Sequence, residues 1–544
     1  MTVATKRKAE AIQELPEKKF KTVQEVFHKG LMDPQNRDRL QKACQESEPY
    51  KHCAIERLVN DELLRKVYEE IGASLRFTLK ETDIYKVNQT GDLVNMDGLP
   101  LEEKNRLRHL FELRNAIYSD EFRSFVSQVT GCGPLSPSKF DMSINTYNSG
   151  CHLLNHDDVI GTRRVSFILY MPSPDEEWDP SWGGALELYP VVSKGTPAIE
   201  PTVSLPPKWN QFAMFTVLPG YSFHSVEEVV GQNKSRLSIQ GWFHVPQLGE
   251  KGYETKTTAE KSSLEMLETE EEEEPFVLYK DPLEEQDCAL GQEDISVLSE
   301  WMNPIYLETK CLGQISERFM DTSAVQLKDI LRPDLAESLK KHCLDQDQQD
   351  GFTTSNMPPH GSGIHKDWIA NGPPVRQRFL RSTSTSNLNG LQSKLQSGAF
   401  RRWLATVSQL LPIGCRGMTR RFRPGHDYTL ATAHSKGSVL DITLCLATCP
   451  TESAAEQWES GEYGGYECYM APHEGQDDPA IYKASSEDDG ALLTMPAGWN
   501  EMAIVLRDEG VLRFVKYISA RAPGARWDIA MEYEIDQEEE EEEE

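Results

Sequence analysis

Apolar positions fall in two rhythms along the chain. In residues 34–46 and 60–72 they recur every three to four positions, which predicts amphipathic helices. In the second of these Leu63, Leu64, Val67 and Tyr68 share a face, and Asp61 suits the N-cap. From residue 139 the period drops to two. Met142–Tyr147, Arg164–Met171, Leu186–Val191, Phe212–Leu218 and Arg236–Val245 read as strands. Pro172, Pro174, Gly183-Gly184, Pro206-Pro207 and Pro219-Gly220 punctuate them. The expectation is a mainly β fold with flanking helices (α+β), a sandwich or barrel.

Polar stretches interrupt these rhythms and divide the chain. Residues 1–25 form a basic arm, expected to be disordered. Its clusters Lys6-Arg7-Lys8 and Lys18-Lys19-Phe20-Lys21 read equally as a bipartite nuclear import signal or as a solvated tail. Residues 249–290 are acidic and poor in apolar side chains, a linker. Residues 371–398 are rich in Ser, Gly, Asn and Gln and read as a long mobile insertion. Residues 536–544 are an acidic tail. Two units remain, 26–248 and 291–535, and they echo each other. Leu58-Val59-Asn60-Asp61 returns as Ile330-Leu331-Arg332-Pro333, Gly183-Gly184-Ala185-Leu186 as Gly464-Gly465-Tyr466-Glu467, Trp209-Asn210 as Trp499-Asn500, and Arg236-Leu237-Ser238 as Arg526-Trp527-Asp528. Each match is weak, but their common order points to a duplicated fold.

Composition narrows the function. The 544 residues exceed one ordinary core, and mean hydropathy is −0.54 with 38% hydrophobic residues. A net charge of −30 argues against direct nucleic-acid or membrane-surface binding, which needs a basic footprint, and favours basic partners. Eleven scattered cysteines without a CxxC pair, and no signal peptide, point to a reducing compartment.

The chemistry lies in His156-Asp157-Asp158. His156 and Asp158 are two apart and point to one side of an extended segment, and Asp157 reads as a solvated neighbour. His224 follows 68 residues later, and Arg236 12 after that. Two imidazoles and a carboxylate form the facial triad of non-haem Fe(II) oxygenases, which leaves positions for a chelating 2-oxo acid and O2. Arg236 then has a task, bidentate capture of the far carboxylate of 2-oxoglutarate. Ser238 shares its strand face. Tyr147 and Tyr170 read either as phenol donors to the same pocket or as core aromatics. The bland alternative for the whole set is a satisfied polar cluster at a barrel mouth. His365-Lys366-Asp367 repeats the His-x-Asp spacing in a Gly/Pro-rich loop with no downstream His/Arg pair, and reads as a surface turn.

These residues also carry a resemblance. The stretches His156–Asp158, Gly161–Tyr170, Lys234–His244 and Trp301–Leu307 resemble the ribosomal prolyl 3-hydroxylases, eukaryotic oxygenases dependent on 2-oxoglutarate and Fe(II). The resemblance covers about residues 50–535 and implies two tandem double-stranded β-helix (jelly-roll) domains, the first alone catalytic. It implies His156, Asp158 and His224 as iron ligands, with Tyr147 and Arg236 on 2-oxoglutarate and Tyr170 nearby. The implied substrate is a proline in a small-subunit ribosomal protein of the S12 family at the decoding centre, hydroxylated once or twice. Effects on translational accuracy and termination follow, with termination factors as further partners, ascorbate as a reductant for the iron, and a nuclear and cytoplasmic location. Alignment through Gly150/Gly425 and Phe223/Phe514 places Ala431, Ala433 and Val515 opposite the three ligands, so the second copy is expected to be inert, with Arg526 held by a neighbouring acid. The rival readings are a non-enzymatic nuclear regulator or scaffold, and an oxygenase of the same chemistry acting on another substrate.

Overall fold

The computed structural model describes residues 22–91, 93, 98, 100–254, 274–281, 289–352, 356–383, 388–433, 437–471 and 491–536. Most of the basic arm, most of the acidic linker and nearly all of the acidic tail lie outside the described residues. The architecture is mainly β with flanking helices, as the hydrophobic rhythm implies.

In the first half an 11-stranded antiparallel sheet runs His52–Ile55, Phe212–Thr216, Arg163–Tyr170, Arg236–His244, Phe140–Tyr147, Tyr85–Gln89, His152–His156, His224–Val226, Leu186–Leu188, Val203–Leu205, with Thr78–Glu81 paired to Tyr85–Gln89. Helices Pro34–Gln45, Asp61–Ser74, Arg108–Ile117 and Asp120–Thr130 cover its outer face. The period of two sorts side chains into two interiors. Val165, Phe167 and Leu169 join Leu63, Val67, Phe122 and Val126 under the helices, whereas Ile168 and Tyr170 meet Leu186, Leu188 and Phe215 inside the curl of the sheet. Helix Asp61–Ser74 is capped by Asn60 rather than Asp61, the Asn60 side chain accepting from the Glu62 and Leu63 amides.

The second half has a nine-stranded sheet along Ala324–Lys328, Trp499–Arg507, Val439–Ala447, Arg526–Ile535, Pro412–Phe422, Gln377–Ser382, Trp368–Asn371. Beside it lies a four-stranded sheet Thr432–Ala433, Leu512–Val515, Glu467–Met470, Ala491–Met495. Stretch 371–398 is not the loop its composition suggests. It holds strand Gln377–Ser382 and helix Asn389–Leu395, anchored by buried Phe379, Leu380, Leu388, Leu391 and Leu395. The linker is also partly built in, since Val277–Leu278 pairs with Cys415 and Gly414.

Echoed sequences make the same contacts. Asn210 (φ 64°) accepts from the Val59 amide, and Asn500 (φ 61°) from Leu331. The Gly150 and Gly425 amides donate to Val229 and Ile518. A Cβ on Gly183 would lie 2.1 Å from the Glu228 carbonyl, and one on Gly464 2.0 Å from that of Tyr517, so both positions demand glycine.

These contacts also correct the register read from sequence. Leu186 and Leu188 pair with Val226 and His224, and Glu467 and Tyr469 pair with Val515 and Arg513. Arg513, not Val515, therefore stands at the position of His224, and Thr432, not Ala431, stands across from it. The match through Phe223 and Phe514 is off by two residues, which keeps the strand face, and the match through Gly150 and Gly425 is off by one, which reverses it.

The halves are pinned together by polar contacts. Glu228 accepts from Tyr517 Oη, Ser519 Oγ and the Ala520 amide, Lys516 pairs with Glu81 at 3.1 Å, and His152 stacks on Tyr517 with centroids 4.1 Å apart.

Candidate active site

Strand His152–His156 pairs with His224–Val226, so His156 and His224 face each other directly. Asp158 follows at φ 60°, a left-handed turn that Asp tolerates better than most side chains. The result is compact. Asp158 Oδ1 is 3.4 Å from His156 Nε2, and Oδ2 is 3.5 Å from His224 Nε2. One donor atom from each of the three residues lies within 4.8 Å of the others. Both rings are oriented from behind. His156 Nδ1 donates to the Leu154 carbonyl and His224 Nδ1 to that of Ser222, each at 2.9 Å. Each Nε2 lone pair is thereby turned into the site, the tautomer a metal requires. Trp242 Nε1 donates to Asp158 Oδ2 at 3.0 Å. Burial opposes ionisation of Asp158, but the neighbouring imidazoles, when protonated on Nε2, prevail and hold its carboxyl well below the usual range.

Asp157 is not a solvated neighbour. It is 1% exposed, and its carboxylate accepts from the Val159 and Gly220 amides while its carbonyl accepts from Ser222 Oγ. It ties the turn after His156 to the segment leading into His224.

The second cluster lies on strands Phe140–Tyr147, Arg163–Tyr170 and Arg236–His244 of the same sheet, with Tyr85–Gln89 between them and the histidine strands. Arg236 pairs across the ladder with Tyr147, and Ser238 with Tyr170 on one side and Asn145 on the other. The Arg236 guanidinium carbon is 4.8 Å from the Tyr147 ring centroid and 4.9 Å from that of Tyr170. Arg236 Nε donates to the Gly184 carbonyl at 2.7 Å. Arg236 Nη2, Tyr170 Oη and Ser238 Oγ are buried with no hydrogen-bond partner. Buried polar groups left without a partner are costly in a protein interior, and a guanidinium with two hydroxyls on the same sheet face suits an anion. These groups suit a carboxylate of 2-oxoglutarate, and the His/Asp/His set suits a divalent iron. The structure gathers His156, Asp158 and His224 into one cluster and Tyr147, Tyr170, Arg236 and Ser238 into another on the same sheet. His365 and Asp367 stand apart, 3.8 Å from each other at a turn and without a third ligand among the described residues.

Sequence reasoning missed two residues. Asn145 is fully buried, with both side-chain polar atoms unpartnered, on the face of Tyr147 two positions on. Trp242, which holds Asp158, is six positions beyond Arg236. Both even spacings were a usable signal.

Comparison with known proteins agrees with this geometry. A family model for the 2OG-Fe(II) oxygenase superfamily matches residues 142–244, and one described as oxoglutarate and iron-dependent oxygenase degradation C-term matches residues 293–542. The chain is 36% identical over 500 residues to prolyl 3,4-dihydroxylase OGFOD1 of Ostreococcus tauri, covering 89% of this chain and 95% of the relative. It is 30% identical to prolyl 3-hydroxylase OGFOD1 of Mus musculus, covering 87% and 85%. The chain belongs to this OGFOD1 family of 2-oxoglutarate- and iron-dependent oxygenases. Among solved structures it is similar to a Pseudomonas putida prolyl-4-hydroxylase, with 20% identity, a TM-score of 0.26 and coverage of 38% of this chain and 98% of that one. As an OGFOD1-family oxygenase the chain is an enzyme, and the family accounts for Fe(II), 2-oxoglutarate and O2.

Proposed function

We propose that the chain is a prolyl 3-hydroxylase, or 3,4-dihydroxylase, acting through a jelly-roll unit in its first half, with the second half a non-catalytic copy. The observation that carries the reading is the His156/Asp158/His224 cluster beside Arg236 and its unpartnered donors. Both relatives quoted above are named prolyl hydroxylases.

Bound iron with 2-oxoglutarate supplies the chemistry that activates O2. The chain's residues do the rest. His156 Nε2, His224 Nε2 and an Asp158 oxygen would hold the metal, and the carbonyls of Leu154 and Ser222 keep the rings from turning. Arg236, Ser238, Tyr170 and Tyr147 would hold the far carboxylate of the cosubstrate. Tyr50, Ile168, Leu186, Leu188 and Phe215 form an apolar wall that excludes water.

The substrate we infer is a proline in a small-subunit ribosomal protein of the S12 family at the decoding centre, with consequences for translational accuracy and termination. Termination factors are further partners, ascorbate a supporting reductant, and nucleus and cytoplasm the location. The net charge of −30 suits a basic client of this kind. The test is succinate release dependent on that protein, by wild type and by His156→Ala, with mass spectrometry of the target. Release and hydroxylation by wild type alone are expected. Equal release from both refutes the site, and release with no modified proline refutes the substrate.

A further inference from the structure

The geometry points to His360, in the second half, as a positioning residue for the iron ligand His224 in the first. This inference rests on the assignment of His156, Asp158 and His224 to iron. Glu187, Glu227 and His360 place donor atoms within 4.8 Å of one another, which on spacing alone resembles a second metal site. The hydrogen bonds say otherwise. Arg378 Nη2 lies 2.7 Å from His360 Nδ1, and a guanidinium only donates, so Nδ1 is the acceptor. The proton of the neutral ring is therefore on Nε2, which donates to Glu187 Oε1 at 2.6 Å. A metal on Nε2 would force a proton onto Nδ1, against the Arg378 donor.

The chain of bonds continues toward the active site. Glu187 Oε2 accepts from Ser225 Oγ and from Tyr189 Oη, each at 2.9 Å. Ser225 follows His224, and Glu187 is its ladder partner just as Leu188 is the partner of His224. Arg378, His360, Glu187 and Ser225 thus form one path across the junction of the halves, ending beside an iron ligand.

The His360 end is held rigidly. Segment 358–362 has no regular secondary structure, yet Arg423 Nη1 donates to the carbonyls of His360 and Ser362. His426 bonds the Pro358 carbonyl at 2.6 Å and stacks on the His360 ring with centroids 4.7 Å apart. Arg423 is itself paired with buried Asp427 at 2.8 Å. A loop fixed this way acts as a support for the strand bearing His224, as outer-shell partners orient metal ligands elsewhere.

The test is binding of Mn(II), a redox-inert stand-in for Fe(II), followed by electron paramagnetic resonance on the full-length protein, with the absorption spectrum of the Co(II) form as a reporter of ligand geometry. Wild type is expected to take up one tight Mn(II) per chain. His360→Ala is expected to weaken Mn(II) about tenfold and to alter the Co(II) spectrum. His360→Gln, which accepts from Arg378 and donates to Glu187, is expected to restore both. Ser225→Ala cuts the path at its other end with little risk to folding, and is expected to weaken Mn(II) in the same sense. Wild-type binding and spectra in both His360→Ala and Ser225→Ala would overturn the inference. So would a second tight Mn(II) in wild type that His360→Ala removes, since His360 would then be a ligand. His156→Ala separates the two readings. If it abolishes Mn(II) binding while His360→Ala does not affect it, the iron site stands and this inference falls. If it binds like wild type, the iron site itself is wrong.

Discussion

The two halves place an arginine at matched positions, and what surrounds each differs in kind. Arg236 is encircled at its ladder neighbours by Tyr147, Ser238, Asn145 and Tyr170. The corresponding neighbours of Arg526 are Phe422, Asp528, Arg420 and Cys445. Both arginines donate to a glycine carbonyl, Gly184 or Gly465. Around Arg236, its own Nη2, Tyr170 Oη and Ser238 Oγ are left without a partner, whereas Arg526 meets Glu467 at 2.7 Å and Asp528 at 2.9 Å. Asp528 also takes a two-pronged pair from Arg420 at 2.8 and 2.9 Å. At the position of His224, Arg513 pairs with Glu467 at 3.1 Å. In the second half the arginines at the matched positions therefore meet carboxylates of the chain itself. A binding site and a structural core differ here in whether the guanidinium finds its acid within the chain.

Transplants between the halves test this comparison. The largest effect is expected from His224→Arg, which installs the second half's residue. Metal uptake should be lost and succinate release should fall to background, as read by metal analysis and turnover. Retained turnover would show that His224 is not a ligand. Next in size, Asp528→Ser should destabilise the second half by about 3–5 kcal/mol, because removing one partner of a buried pair strands the other charges. Guanidinium-induced unfolding followed by tryptophan fluorescence measures this, and an unchanged midpoint would mean the acids are not needed to hold Arg420 and Arg526. Ser238→Asp should give Arg236 an internal acid. Loss of a charge-assisted bond of ~1.5–3 kcal/mol corresponds to a rise in KM for 2-oxoglutarate on the order of ten- to a hundredfold, with kcat at saturation much less affected. An unchanged KM would place the cosubstrate carboxylate elsewhere.

The smallest effect is a contrast in pH dependence. Burial, and then the Glu187 charge, push the Glu227 carboxyl up to about 8. Its raised value means that folding binds a proton, so stability is fullest below the unfolded value near 4.5 and declines as pH rises toward 8. For Glu467 burial acts in the opposite sense, but Arg513, Arg526 and Arg420 together hold it below its usual range. Its contribution is present above about 4.5 and is lost as pH falls. Thermal unfolding across pH should thus weaken on the alkaline side through Glu227, and Glu227→Gln should flatten that limb alone. If Glu227→Gln changes only the acid limb, the assignment is reversed.

Much of this was legible before any coordinates. Strand-length stretches of β-formers between Pro and Gly stops located the strands at 140–147, 163–170, 212–216 and 236–244 within two residues. The order His156, Asp158, His224 pointed to three residues that the fold clusters, because side-chain parity on a strand is already a statement about geometry. The Ser-rich stretch 371–398 was misjudged since composition averages over a few apolar anchors. Leu380, Leu388 and Leu395 suffice to order it. Asp157 was misjudged because a charge predicts solvent unless amides from distant segments satisfy it.

Donor and acceptor types, strand parity and the echo between halves are local properties, so they can be read along one dimension. Long-range pairing is not local. Which residue faces His224 or its counterpart depends on ladder register. Whether Arg236 or Arg526 finds an acid depends on strands brought together over tens of residues. That His360 reaches Glu187 across 173 positions follows from the docking of the halves and could be known only once the chain was folded.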